Sequence, residues 1–272
     1  MALDGHIATN VLASDYHKRE LGVVSKSALD QIARSPAHYK AWADGLEKRE
    51  TRALAFGRAF HMAVLEPDVF ASTYVVVPDF GDCRFKENKT ARNEWLAENA
   101  GRLAIEAEDM ERARGMAASL RAHPAAGAIL RDGISEVTLR WADPITGLAC
   151  KSRADYWVRE KKLCADLKTA EDASPEEFAK AVVRRRYDVQ DALYRAGFAA
   201  CGEPIDHFAL VACEKEPPYA VGVYLLDTDA VARGYSLARR DIDTLQECLE
   251  TDCWPSYTSG VSTLSLPAWA YR

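Results

Sequence analysis

The stretch from Ser152 to Thr169, SRADYWVREKKLCADLKT, constrains this chain more than any other. Residues 147–158 alternate in polarity and are rich in Val, Tyr and Trp, and residues 163–167 form a short, mostly apolar run. Glu160, Lys161 and Lys162 between them predict the polar turn of a β-hairpin. With the turn centred on Glu160-Lys161, Asp155 falls opposite Asp166, and Lys168 shares the Asp166 face because strand side chains alternate. Like charges directly opposed on a sheet are destabilising. A divalent cation removes that objection, since Mg²⁺ takes one or two carboxylates together with substrate phosphate. A lysine beside such an ion can orient a water or help to deprotonate it. An exposed hairpin with ordinary surface charge satisfies the same string, and the hairpin alone leaves both readings open.

Composition narrows the class. The chain has 272 residues, 48% hydrophobic and 28% charged, as in an ordinary globular protein with a sizeable core. No run approaches the ~18–20 apolar residues of a membrane helix. The N-terminus lacks a basic start followed by an apolar core, so a secretory signal is not expected and a cytoplasmic location is. The seven cysteines are irregularly spaced without a CxxC pair, and neither a disulfide framework nor an iron–sulfur cluster is expected. A net charge of −6 argues against a protein that coats nucleic acid, but allows a local basic groove. Arg184-Arg185-Arg186, residues 151–153 and Lys161-Lys162 are local basic clusters, each of which taken alone is more simply a solvated face.

In chain order, residues 1–24 read as an irregular arm. Residues 25–30 open a helix with Ser27 as N-cap, and Ser35-Pro36 starts a second that runs to about Asp44. Residues 51–65 form a helix stopped by Pro67, with Gly57 and His61 on one face. A short strand (74–77), a polar loop (79–90) and three helices (88–100, 106–120, 123–130) follow. Residues 134–141 are a strand by alternation, and Asp143 to Gly147 turns it into the hairpin, giving three successive antiparallel strands. In the register that keeps Ile134 on its face, Glu136 stands beside Arg153 or Asp155 as a third carboxylate, whereas a one-residue slip turns it away. Ser174-Pro175 opens a helix through the three arginines. A second helical run (187–201) carries Gln190 and Tyr194 on one face and ends at Gly202. Strands 207–213 and 219–226 and a long helix (229–250) precede an irregular tail, of a kind that packs on its own domain or on a neighbouring subunit. One domain is expected, with a largely helical subregion (1–130) and a sheet core with the tail (131–272).

The ordered set Gly57-x3-His61, Glu136, Asp155, Asp166-x-Lys168 and Gln190-x3-Tyr194 resembles the PD-(D/E)xK nuclease superfamily. Within it the chain resembles the RecE-type (exonuclease VIII) nuclease domain, kin to phage lambda exonuclease. Further matches are Asp15-Tyr16-His17, Ser25-x-Ser27, Ser35-Pro36-Ala37-His38-Tyr39, the helix motif Leu54-x2-Gly57-Arg58-Ala59-x-His61, Asp166-Leu167-Lys168-Thr169 and Leu266-Pro267-Ala268-Trp269, together spanning about residues 14–270. The resemblance implies a mixed α/β fold, a central mixed sheet flanked by helices. It implies Mg²⁺-dependent (or Mn²⁺-dependent) 5′→3′ degradation of linear double-stranded DNA to mononucleotides, leaving a 3′ single strand. A ring of three or four subunits around DNA ends, a RecT-type single-strand annealing partner and a phage or prophage origin are also implied. Asp155 and Asp166 become the principal Mg²⁺ ligands, with the Leu167 carbonyl as another. Lys168 orients the attacking water and stabilises the charged transition state, Glu136 acts through a water, and His61 serves a second metal position. Gln190 and Tyr194 position the phosphate or the lysine. Arg58 and Arg184, Arg185 and Arg186, near these motifs in sequence, are expected to hold the 5′-phosphate or the backbone. The rivals are a RecB- or Cas4-like nuclease or an endonuclease of the same superfamily, and a non-catalytic DNA-binding module. The missing cluster cysteines and the His61 helix argue against the RecB- or Cas4-like reading, and the intact Asp155, Asp166 and Lys168 against the last.

Overall fold

The alternating residues 134–170 fold as three successive antiparallel strands, and the rest of the sheet extends outward from them. The computed structural model describes residues 5–46 and 51–271. Its strands are β1 (His6–Ala8), β2 (Tyr74–Val76), β3 (Leu103–Ile105), β4 (Ile134–Ala142), β5 (Ala149–Val158), β6 (Leu163–Ala170), β7 (His207–Glu214) and β8 (Val221–Leu225). Its helices are α1 (Ala13–Tyr16), α2 (Lys26–Arg34), α3 (Pro36–Ala43), α4 (Arg52–Leu65), α5 (Pro67–Thr73), α6 (Lys86–Glu98), α7 (Ala107–Ala122), α8 (Pro124–Ile129), α9 (Pro175–Arg185), α10 (Tyr187–Ala200) and α11 (Thr228–Thr251).

The central sheet has the order β1-β4-β5-β6-β7-β8, and its one parallel pair is β6–β7. Parallel neighbours need a crossover, and α9 and α10 supply it. The sheet separates two cores. On one face, Leu29, Tyr39, Phe178, Leu193, Phe198 and Leu245 bring α2, α3, α9, α10 and α11 against it. On the other, Phe56, Phe60, Phe70, Met116 and Leu120 do so for α4, α5 and α7. Phe60, Phe198 and Phe208 are fully buried, each worth about 1.5–3 kcal/mol in transfer terms.

The helix starts obey side-chain chemistry. Ser35 accepts the His38 amide with Pro36 in the first turn, and Thr51 accepts that of Leu54. The cap of α2 is Ser25, which accepts the Ala28 amide, not Ser27, which lies inside the helix. The expected irregular arm contains β1, which pairs with β4, and α1, and Val24 bridges Cys150. Helix α5 and the small parallel β2–β3 pair were not expected from the sequence. The tail packs on its own domain only where it begins. Trp254 stacks on Tyr39 at 5.7 Å and Tyr257 lies 5.6 Å from His38, whereas Leu264, Leu266 and Trp269 are exposed. No helix among the described residues is long and apolar enough to cross a membrane.

Helix α10 carries two candidate site residues, and close contacts fix it. A Cβ on Gly197 would meet the Trp141 ring at 2.7 Å, and one on Gly234 of α11 would meet the Asp188 carbonyl oxygen at 2.1 Å. Arg233 pairs with the buried Asp188, binding the two helices through charge as well.

Candidate metal centre

The hairpin has the register that its turn predicts. Tyr156 pairs with Ala165, Trp157 with Cys164 and Val158 with Leu163, across a turn whose last residue, Lys162, is left-handed at φ 45°. One step further, Asp155 stands opposite Asp166. There the ladder ends, and the Asp155 Oδ2 accepts the Leu167 amide at 2.7 Å.

An irregularity lies at the same level. Ala154 packs into one core and Tyr156 into the other, so the alternation of β5 slips at Asp155. Opposite it, Glu136 is the residue of β4 that makes no ladder pair between Ser135 and Val137, and its φ is +56°. A non-glycine residue there is strained and marks functional sites more often than plain sheet. The slip turns Glu136 toward both predicted neighbours: it is ion-paired with the Arg153 Nε and clustered with Asp155.

Helix α4 supplies the third member. His61 Nδ1 lies 3.5 Å from the Asp155 Oδ2, and donor atoms of His61, Glu136 and Asp155 all lie within 4.8 Å of one another. Gly57, one turn earlier, leaves open space: a Cβ there meets nothing within 4 Å. Burial pulls the His61 pKa down to about 4, so the ring is neutral and can ligate a metal near neutral pH. Burial, reinforced by the charge of Asp166, pushes the Asp155 carboxyl well above the usual range. Burial likewise raises Glu136, with Arg153 opposing it. Two partly buried carboxyls that resist ionisation beside a neutral imidazole are a donor set suited to a hard or borderline divalent cation.

Asp166 lies at the neighbouring position under α10. It is 2% exposed, and its Oδ1 accepts from the Gln190 Nε2 at 2.5 Å while its Oδ2 faces the Lys168 ammonium. Lys168 also donates to the Gln190 Oε1 at 2.9 Å and sits 4.4 Å from the centroid of the Tyr187 ring. Burial works against its charge, but Asp166, Tyr187 and Asp155 outweigh it and the pKa is raised. The ammonium is thereby held protonated, which favours its role in orienting and charge stabilisation over that of a base. Tyr194, one turn beyond Gln190, donates to the Arg153 carbonyl at 2.8 Å and touches neither the lysine nor Asp166 by a hydrogen bond.

Some expected roles change. Glu136 belongs to the close donor cluster itself, and Asp166, outside it, keeps its Oδ2 beside the Lys168 ammonium with no hydrogen bond among the described residues. The Leu167 amide serves the ligands by donating to the Asp155 Oδ2. Arg186 is turned inward: it donates to the Leu29 carbonyl at 2.7 Å and pairs with Asp241 and Asp30, which makes it an anchor and removes it from the DNA-facing candidates. Arg58, Arg184 and Arg185 lie on the surface. Sequence reasoning missed Tyr187 and gave no role to Arg153 or to Tyr16, whose ring lies 5.6 Å from the Arg153 guanidinium. Tyr187 had a usable signal, since it is three residues before Gln190 on the same helix face.

No curated protein matches the chain in sequence. Among solved structures, a provisionally named exonuclease from Eubacterium rectale is 12% identical, with a TM-score of 0.60 over 97% of this chain and 98% of that one. At that identity the likeness speaks to the fold alone. A phage-related exonuclease from Haemophilus somnus 129PT is 13% identical over 88% of this chain and 99% of that one, at a TM-score of 0.37, too loose to argue from. The sheet order, the Asp155–Asp166–Lys168 hairpin and a family model that matches residues 25–266 agree: the chain belongs to the family described as the PDDEXK-like domain of unknown function (DUF3799).

Proposed function

We propose that this protein is a Mg²⁺-dependent exodeoxyribonuclease that degrades linear double-stranded DNA 5′→3′ to mononucleotides, leaving a 3′ single strand for annealing-type recombination. The observation that carries the reading is the meeting of His61, Glu136 and Asp155 within 4.8 Å, beside an Asp166–Lys168–Gln190 group. His61, Glu136, Asp155 and Asp166 would hold the cation. When bound, a divalent cation supplies Lewis-acid activation of water and of the phosphoryl oxygen.

The chain's own residues do the rest. Lys168 presents a protonated ammonium next to Asp166, where it can orient the attacking water and offset charge growing on the phosphate. Gln190 holds the Lys168 ammonium and the Asp166 carboxylate at fixed separation, one by each end of its amide. Neutral His61 and the Leu167 amide fix Asp155. Arg58, Arg184 and Arg185 remain the surface candidates for the 5′-phosphate and backbone. The exposed apolar tail, with Leu264 88% and Trp269 73% accessible, supports assembly with neighbouring copies into a ring of three or four. A RecT-type annealing protein would receive the single strand.

The test uses linear duplex labelled at the 5′ or the 3′ end, and a closed circle, each with Mg²⁺ and with chelator. The proposal expects Mg²⁺-dependent release of mononucleotide from 5′ ends and an intact circle. Cutting of the circle would replace the exonuclease by an endonuclease of the same family. Activity unaffected by chelation would remove the metal.

A further inference from the structure

One largely covered cation near the centre is not used by the reading given above. Arg153 lies two residues before Asp155 on β5, and its side chain is 13% exposed. It pairs across the sheet with Thr138, so Glu136 is its diagonal neighbour. Its Nε donates to the Glu136 Oε2, while Glu136 Oε1 has no hydrogen bond among the described residues. Its guanidinium lies against the Tyr16 ring of α1, and its carbonyl accepts from Tyr194 of α10. Another cation on this face, Lys151, is used differently: it donates to the Lys18 carbonyl at 2.6 Å and ties down the arm that carries Tyr16.

Glu136 needs such support. Its left-handed backbone is strained and persists only where the surroundings impose it. A half-buried carboxylate among Asp155 and Asp166 also gains nothing from staying charged unless a cation lies beside it. An arginine whose guanidinium rests on the Tyr16 ring supplies the charge and favours one Glu136 rotamer, because its planar group is pre-organised.

We infer that Arg153 is a positioning residue for the metal centre: with its guanidinium against Tyr16 and its main chain fixed by Tyr194, it holds Glu136 by Oε2 and leaves Oε1 to the His61–Asp155 donors. The inference rests on the proposed metal site and extends it to the N-terminal arm.

Calorimetric titration of the metal-free protein with Mn²⁺ tests it, on wild type, Arg153→Met, Arg153→Lys, Glu136→Gln and the Arg153→Met/Glu136→Gln pair. Arg153→Met should weaken binding about 10–100-fold, as for second-layer partners of metal ligands, with Arg153→Lys between it and wild type. In the Glu136→Gln background the same change should cost less than about threefold, because the coupling partner is gone. An unchanged or tighter affinity for Arg153→Met, or an equal loss with and without Glu136, overturns the inference. If circular dichroism shows Arg153→Met to be unfolded, Arg153→Lys carries the test, and wild-type affinity there overturns it. Asp155→Asn separates the two claims: if it binds Mn²⁺ like wild type, the metal site itself fails, whereas if it loses binding and Arg153→Met does not, only the role of Arg153 fails.

Discussion

Asp155 and Asp166 face each other across one hairpin, yet their surroundings are opposite. Asp166 meets Lys168 through one oxygen and Gln190 through the other. Asp155 has one amide, a neutral histidine and a second carboxylate, and its carboxyl is pushed up by burial and by Asp166. The Asp166 half is nearly finished by the chain itself: only the buried Oδ2, beside the Lys168 ammonium, lacks a hydrogen bond among the described residues. The Asp155 half is a cluster of acceptors with only Arg153 beside it, which a proton or a bound cation relieves. The difference assigns the tasks: the strands and α10 pre-organise the lysine, and the slip in β4 and β5 together with α4 assembles the donors.

Breaking each half should have its own signature. The largest effect is expected from Lys168→Ala or Asp166→Ala, which should lower nucleotide release from linear duplex by about 10³-fold or more while leaving the circular dichroism spectrum intact. Wild-type rates from either variant would sink the site. Next comes Arg186→Ala, a stability effect away from the centre. It takes away one of the two arginine partners of the buried Asp241, Arg240 keeping the other oxygen, and urea melts should show a loss of about 1.5–3 kcal/mol. Alanine at Arg184 and Arg185 together should leave stability within about 0.5 kcal/mol, and should reduce the salt dependence of DNA binding if these two touch phosphate. Melts that treat all three arginines alike would contradict the inward turn of Arg186.

Metal addition is the next step down. Mg²⁺ at about a hundredfold its Kd should stabilise wild type by about 2.7 kcal/mol, and Asp155→Asn should remove that gain. The smallest expected effect is that of Gln190→Ala, which loosens the nearly finished half without removing a charge. It should lower kcat about tenfold with little change in KM, or about 1.4 kcal/mol in transition-state terms. A change confined to KM would assign Gln190 to substrate binding.

Much of this was readable in the residues. The turn at Glu160-Lys161 fixed the register that opposes Asp155 to Asp166, because pairing across a short turn leaves no other choice. The helix that carries Gln190 followed from its period and from Gly202 at its end. What stayed hidden depends on geometry that sequence does not encode locally. Glu136 reads as an ordinary strand residue, and only the joint slip of two strands gives it a positive φ. Strand β1 has three residues, too few for an alternation to show. Ser25 and Ser27 are equally good caps by type, and the first helical turn decided between them. The run Arg184-Arg185-Arg186 reads as one basic patch, but Arg186 adopts φ +55° at the α9–α10 junction, and that turn sends it toward Asp241.

Mn²⁺ titration of two variants side by side tests the division of the centre most directly. The account predicts that Asp155→Asn loses Mn²⁺ binding, while Lys168→Ala keeps it at wild-type affinity or tighter, even though both lose hydrolysis. Retained binding in Asp155→Asn together with lost binding in Lys168→Ala would contradict it.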